Sequence, residues 1–547
     1  MAVMAYQLDS QPQIEAGVVF TKPWVVELML DMAGYTLDKP LATLVVVEPS
    51  AGEGAFLLGM IRRLVTSCRQ HGMPMMEAMH AIRAYEINTA SALIATKAAY
   101  NQLIELDISS SEARALSCSW VINEDFLETA LGFPTADFVV GNPPYIRLEE
   151  IPKKKAEMYR NAYDTMKGRA DIYIAFYQAS LSMLKPRGTC AFICANRWFL
   201  NDYGRGLRQF ITAGFSVRII LETQLVDAFD DEVSAYPAIT IISHDKQGSV
   251  VVGKALPGIE KTETEYVMSH LKSGLSNNVV QVARFKKWFN GKEPWPSSSP
   301  SSLLCLNKLE EKFSTLESKK TGTVVGIGVA TGADKIFITS KPPAIEKDRL
   351  LPLAMASDLK CGKIDWSGHY LVNPWNESGL IDLREYPLTK FYLEEYQNQL
   401  TKRHTAKNRP ASWHRTIDRV NLSLFSKPKL YIADIKEKLI PCLDMGGTYP
   451  HHNLYYISSE TWDLKVLGGL LMSKVAEFFI QCYSVKMRGG YYRFQAQYLR
   501  RIRVPDPDTI SQKDRADLIR AFETQDKDLA DKVSFKLYEI KEIPIAD

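Results

Sequence analysis

The segment Asp137-Phe138-Val139-Val140-Gly141-Asn142-Pro143-Pro144-Tyr145 holds the residues best suited to chemistry in this chain. An apolar run leads directly into Asn142-Pro143-Pro144-Tyr145. Two consecutive prolines fix φ and remove two backbone donors. They also push the preceding residues out of the helical region. The spacing predicts a rigid arm that presents acceptors rather than donors. Asn142 Oδ1 and the Pro143 carbonyl can each accept one hydrogen of an amine. An aromatic amine is a poor nucleophile because its lone pair is delocalised into the ring. Two acceptors held on its hydrogens favour a more tetrahedral nitrogen with an available lone pair. Such chemistry works by positioning and electrostatics, with no covalent intermediate and no metal. Tyr145 supplies a stacking face for a base and an aromatic partner for a cation.

A second group lies upstream. Glu48-Pro49-Ser50-Ala51-Gly52-Glu53-Gly54-Ala55-Phe56 sits where a strand pattern becomes a helix pattern. Glycines there let the backbone approach a ligand, and a helix N-terminus offers free N–H groups. The segment departs from G-x-G-x-x-G, which disfavours a dinucleotide. Glu86, followed by Ile87, ends a second strand and is placed to accept from ribose hydroxyls. Asp125 follows a third strand, placed to accept from an adenine amine, with Phe126 packing on the ring. Three such features in order predict a nucleoside site on the carboxyl edge of one sheet.

The elements that must position these groups alternate in the manner of an α/β sheet. Strands are expected at Leu44–Glu48, Ala81–Glu86, Trp120–Asn123, Asp137–Gly141, Thr189–Ala195 and Val217–Leu221. Helices are expected at Phe56–Arg69, Ala90–Leu106, Asp171–Leu184 and Gly206–Ala213. After Asp245 the rhythm is lost, and Pro294–Ser302 reads as a linker or long loop. The expected division is 1–245, a linker or structural segment 246–302, and 303–547. A chain of 547 residues is too long for one core. Its 46% apolar and 24% charged residues are ordinary for a globular protein. Eight scattered cysteines form no C-x-x-C pair, so free thiols and no metal are expected. No signal pattern opens the sequence, and no apolar run approaches the ~20 residues that span a bilayer. A cytoplasmic protein with no membrane partner is expected.

Together these residues resemble the gamma-class N6-adenine DNA methyltransferases of bacterial restriction–modification systems, over the first ~245 residues. The resemblance implies a Rossmann-like methyltransferase domain with a mostly parallel sheet, then a mixed α+β DNA-recognition domain. It implies S-adenosylmethionine as cofactor, held by Thr21, Glu48, Pro49, Ser50, Ala51, Gly52, Gly54, Glu86, Ile87, Asp125, Phe126 and Asn142. Within it, Phe20-Thr21-Lys22-Pro23 resembles the motif that closes over the methionine end. Asn142, Pro143, Pro144 and Tyr145 match the catalytic motif, and asparagine at its first position implies adenine rather than N4-cytosine. Tyr203, with Phe199 as competitor, is the expected aromatic on the far face of the base.

The target amine lies inside a duplex, so the base must be flipped out and the DNA held elsewhere. Residues 401–440 carry ten Lys/Arg against three Asp/Glu, in a chain of net charge +3. Residues 485–503 carry six Lys/Arg and no acid, interleaved with aromatics. Lys427, Lys429, Arg488, Arg493, Arg500 and Arg501 are therefore expected on the phosphate backbone of double-stranded DNA. A monomer paired with a separately encoded restriction endonuclease completes the expectation. The alternatives are an Asn-Pro-Pro-Tyr methyltransferase of protein glutamine or RNA guanine, and a catalytically silent DNA-binding scaffold.

Overall fold

The apolar runs become the strands Val46–Glu48 (β1), Ile82–Tyr85 (β2), Val121–Ile122 (β3) and Ala136–Gly141 (β4). They lie side by side and parallel, with Val46 opposite both Ile82 and Phe138. Leu184–Ala195 (β5), Ser216–Glu222 (β6), Pro237–Ser243 (β7), Val250–Ala255 (β8) and Val280–Phe285 (β9) complete a nine-stranded sheet. Its order is β3-β2-β1-β4-β5-β7-β6-β8-β9. β5 is parallel to β4, whereas β7 runs antiparallel to both β5 and β6. The order reverses between β1 and β4, and ligands bind outside the carboxyl ends of strands at such a point. The computed structural model describes residues 21–130, 135–230, 236–289, 291–484 and 492–544. It divides the chain into two compact units, Met1–Ser301 and Ser302–Asp547.

In the first unit, the helices are Pro23–Ala33 (α1), Ala55–His71 (α2), Thr89–Glu105 (α3), Ser110–Trp120 (α4), Phe126–Thr129 (α5), Lys153–Ala162 (α6), Tyr173–Ser182 (α7), Arg205–Gly214 (α8) and Thr264–Ser273 (α9). α3 starts where Asn88 Oδ1 accepts from the N–H groups of Ala90 and Ser91. α2 ends at Gly72, whose left-handed backbone returns its N–H to Arg69 and Cys68. The core joins Leu28, Val46, Phe56, Leu64, Ile82, Ala99, Trp120, Val140 and Ile193.

Three sequence expectations change. Residues 246–302 are structural rather than a linker: β8, α9 and β9 lie within them, and the two strands extend the sheet. Trp120 ends α4 rather than opening a strand, because its fully buried ring and indole N–H, bonded to the Ala78 carbonyl at 3.0 Å, belong to the helix face. α1, α4, α5, α6 and β7 have no counterpart among the elements expected from sequence.

The second unit is mixed. One six-stranded sheet includes Val324–Ile327, Leu454–Ser458, Lys429–Ala433 and Cys442–Asp444, and a four-stranded sheet includes Leu350–Ala354 and Tyr370–Val372. Helices Leu464–Leu471, Gln512–Thr524 and Lys527–Tyr538 pack together. Among the described residues, no single helix is long and apolar enough to cross a membrane.

Candidate active site

The carboxyl ends of β1, β2 and β4 open onto a cavity of about 540 Å³. Thr21, Glu48, Pro49, Ser50, Ala51, Gly52, Glu86, Ile87, Asp125, Phe126, Asn142, Pro143, Pro144 and Tyr145 all line it. Gly54 instead caps α2 with φ of 102°.

Backbone geometry explains the convergence. β1 ends at Glu48, and the chain turns through Gly52 at φ 53° before α2 begins. Glu86 holds that turn: one carboxylate oxygen accepts from Gly52 N–H at 2.8 Å and the other from Asn88 N–H at 2.8 Å. β4 passes so close that a Cβ at Gly141 would lie 3.2 Å from the Pro49 ring. Ser50 Oγ then donates to the Asn142 carbonyl at 2.9 Å, joining turn and arm. Asn142 Nδ2 donates to Thr21 Oγ1 at 3.2 Å. Thr21 is itself positioned by a bridge to Phe229 and by an ion pair between Lys22 and Asp227. With Nδ2 engaged by Thr21, the amide presents Oδ1 as an acceptor on its other side.

Glu48 is 1% exposed, and one of its carboxylate oxygens is buried with no hydrogen-bond partner among the described residues. Burial, reinforced by nearby Glu86, holds its pKa well above the usual carboxylate range, against partial relief from the N–H groups of Leu57 and Phe56. Tyr145 donates to the Ile193 carbonyl at 3.3 Å, and its ring meets Tyr173 edge-on at 6.3 Å. Burial pushes the Tyr145 phenol up, so it stays a neutral donor. Phe126 stacks on Phe176 at 5.6 Å, and Ile87 is 57% exposed, an apolar surface on the cavity wall.

Among the wall residues that the sequence reading missed, two carry polar groups to Asp125. Lys155 and Tyr159 extend from α6 to Asp125: Lys155 Nζ lies 2.6 Å and Tyr159 Oη 2.5 Å from Asp125 Oδ2. Asp125 Oδ1 accepts from Leu127 N–H at 3.0 Å. Ala156, Tyr159 and Tyr163 are buried at helical spacing, a signal hidden among the lysines of Lys153–Ala162.

Other expectations need correction. Tyr203 does not line this cavity. Its hydroxyl is hydrogen-bonded to that of Tyr173 at 2.7 Å, and it faces a separate pocket with Asp164, Gly168 and Arg205. Phe199 is 1% exposed against Trp198 and Trp295, so it is core. In the second unit Lys429 is no phosphate ligand: its side chain is 0% exposed and paired with Asp444 at 2.7 Å. Arg493 is paired with Asp434. Arg500 binds Glu317 at 3.1 Å and the Val325 carbonyl at 2.7 Å. Arg501 lies over the Tyr483 ring at 4.9 Å. Arg488 lies outside the described residues. Lys427 is exposed, as are Lys402, Lys407, Arg409, Lys436 and Lys438.

Residues 75–229 match the Eco57I restriction-modification methylase family, and residues 352–504 match the TaqI-like C-terminal specificity domain. The chain is 41% identical to the Type II methyltransferase M.PaeR7I of Pseudomonas aeruginosa, covering 97% of this chain and 93% of that one. It is 40% identical to M.XhoI of Xanthomonas vasicola, covering 96% and 98%. M.BstVI of Geobacillus stearothermophilus is 36% identical, covering 97% of each. The solved structure of the Type IIL restriction-modification enzyme MmeI with DNA shares the fold, at a TM-score of 0.51 and 12% identity over 95% of this chain and 74% of that one. With full-length relatives at this identity and a specificity domain following a methylase domain, the chain belongs to the Type II methyltransferases of restriction–modification systems, the DNA methyltransferases its sequence resembles.

Proposed function

We propose that the first unit transfers a methyl group from S-adenosylmethionine to the exocyclic N6 amine of an adenine turned out of duplex DNA. The observation that carries this reading is the meeting of the Asn142–Tyr145 arm with Glu48, Glu86 and Asp125 in one cavity. S-adenosylmethionine, when bound, supplies a methyl group on a positively charged sulfur. The residues fit such a group. Glu48 offers a buried carboxylate oxygen that lacks a partner, the natural complement of an ammonium. Glu86 offers acceptors beside the turn, Ile87 and Phe126 offer apolar faces, and Asp125 keeps one acceptor site beyond its three donors.

The chain's own residues then act on the base. Asn142 Oδ1 and the Pro143 carbonyl accept the two amine hydrogens and hold the nitrogen lone pair free of the ring. The Ser50 and Thr21 hydroxyls fix the arm in advance, so no reorganisation is needed at the moment of attack. Tyr145 stacks on the base and holds it out of the duplex. Asparagine at position 142 supports adenine as the target. The second unit holds the duplex, and the exposed cations Lys402, Lys407, Arg409, Lys427, Lys436 and Lys438 are its candidate phosphate contacts. The family supports a separately encoded endonuclease whose cutting the methylation blocks.

The test is to methylate a random-sequence duplex with labelled S-adenosylmethionine, digest it to nucleosides and identify the labelled product by mass spectrometry. N6-methyladenine is expected. Label in N4-methylcytosine would retire the adenine assignment and leave the amine mechanism standing. Label only in RNA or protein substrates offered in parallel would retire both the adenine assignment and DNA as the substrate.

A further inference from the structure

The second unit contains a histidine pair that the methyl-transfer reading does not use. His451 and His452 form the turn between strands Tyr449–Pro450 and Leu454–Ser458. Their ring centroids are 3.9 Å apart. His451 is 4% exposed, and neither of its ring nitrogens has a hydrogen-bond partner among the described residues. His452 Nδ1 is likewise buried without a partner. A neutral imidazole carries one donor and one acceptor, and buried polar atoms are rarely left unmet. Here three ring nitrogens are unmet within one turn.

The third member is Asp334, which opens the short helix Asp334–Phe337. Its Oδ2 lies 3.6 Å from His451 Nε2, outside hydrogen-bond distance. Its other oxygen accepts from Thr331 Oγ1, which orients the carboxylate. One ligand atom from each of Asp334, His451 and His452 falls within 4.8 Å of the others. The backbone holds the two rings in place. His451 N–H donates to the Ala354 carbonyl at 3.1 Å, His452 N–H to the Val329 carbonyl at 3.1 Å, and Leu454 N–H to the His451 carbonyl at 2.8 Å.

We propose that Asp334, His451 and His452 bind one divalent transition-metal ion of the zinc class. Two neutral imidazoles and a carboxylate are the ligand types of three-residue zinc sites, in which water takes the fourth position. Nitrogen donors favour zinc, cobalt or nickel over magnesium and calcium, which prefer all-oxygen sites. The ion takes one nitrogen from each ring, so it gives His451 a partner for one of its two unmet nitrogens. It also ties the turn after Pro450 to the segment after Thr331. The three residues escape sequence motifs because two ligands are adjacent and the third is far upstream.

The experiment uses the full chain without a histidine tag, stripped by chelator and dialysed. Zn²⁺ is titrated in by calorimetry, and Co²⁺ is followed by its visible absorption. One equivalent of Zn²⁺ should bind, Co²⁺ should develop ligand-field bands on saturation, and Zn²⁺ should raise the melting temperature. Asp334→Asn and His452→Ala should each weaken binding at least tenfold. Both side chains are more exposed than His451, so their metal-free melting temperatures should stay close to wild type. His404→Ala, at an exposed histidine elsewhere in the same unit, should bind as wild type does. Absence of saturable Zn²⁺ binding by the wild type would overturn the proposal. So would undiminished one-to-one binding in the Asp334→Asn/His452→Ala double variant.

Discussion

The cavity of the first unit and the basic stretches of the second were both expected from sequence, and they fare differently. Around the cavity, residues from five separate segments named for one ligand line one wall. In the basic stretches, Lys429 is buried against Asp444, whereas Arg493 and Arg500 pair with Asp434 and Glu317 while their side chains stay 42% and 45% exposed. The difference lies in what each pattern encodes. A glycine turn at a strand end or a double proline constrains the backbone, so the sequence itself dictates where the side chains go. A count of lysines constrains nothing about partners. The acid that neutralises Lys429 sits on a neighbouring strand, opposite it in register.

This contrast is broken or sharpened most strongly at Lys429. Lys429→Ala leaves Asp444, with its side chain 7% exposed, without its cation. The loss should be about 3–5 kcal/mol of stability in denaturant titration. Lys427→Ala, two residues away and exposed, should stay within about 0.5 kcal/mol of wild type. Equal effects would mean that Lys429 is not the internal cation described.

Glu86→Ala comes next. It removes the acceptor of both Gly52 and Asn88 as well as the proposed ribose contact. Affinity for S-adenosylmethionine should fall by about 1–3 kcal/mol in calorimetry. Unchanged affinity in a folded variant would take Glu86 out of the site.

A smaller effect is expected on the DNA side. Neutralising the exposed pair Lys407 and Arg409 should reduce the slope of log affinity against log salt by about one unit per lost phosphate contact. Arg500→Ala should leave that slope nearly unchanged, because its charge already faces Glu317 and the Val325 carbonyl. The reverse ranking would return the phosphate contacts to the residues expected from sequence.

The smallest effect is a pH dependence. The folded-state pKa of Glu48 is raised, so the folded protein holds a proton that the unfolded chain releases. Stability is then lost as pH rises from the ordinary carboxylate value through the raised one. Glu48→Gln should remove this loss, making the cofactor-free protein more stable than wild type at neutral pH in thermal melts. A wild-type protein whose melting is no more pH-dependent than the variant's would mean that Glu48 ionises freely.

The sequence was legible where local chemistry and backbone geometry coincide. β1, β2 and β4 are short apolar runs ending in distinctive turns, and their motif residues meet at the switch in strand order. α6 was hidden because its buried residues, Ala156 and Tyr159, follow a run of lysines that masks the apolar spacing. β8 and β9 were hidden because glycines, serines and prolines around them suggest a linker, although β8 is buried along its whole length. Tyr203 lies outside the cavity, its hydroxyl bonded to that of Tyr173, a placement that sequence distance from the catalytic arm does not reveal.

The central claim is that Asn142 acts on the amine and not on cofactor binding. Single-turnover methyl transfer by Asn142→Ala to a saturating duplex tests it most directly, with cofactor affinity measured in parallel. Losing one of two preorganised acceptors should slow transfer by on the order of a hundredfold or more, while affinity for S-adenosylmethionine stays near wild type. Transfer at close to the wild-type rate would contradict the account.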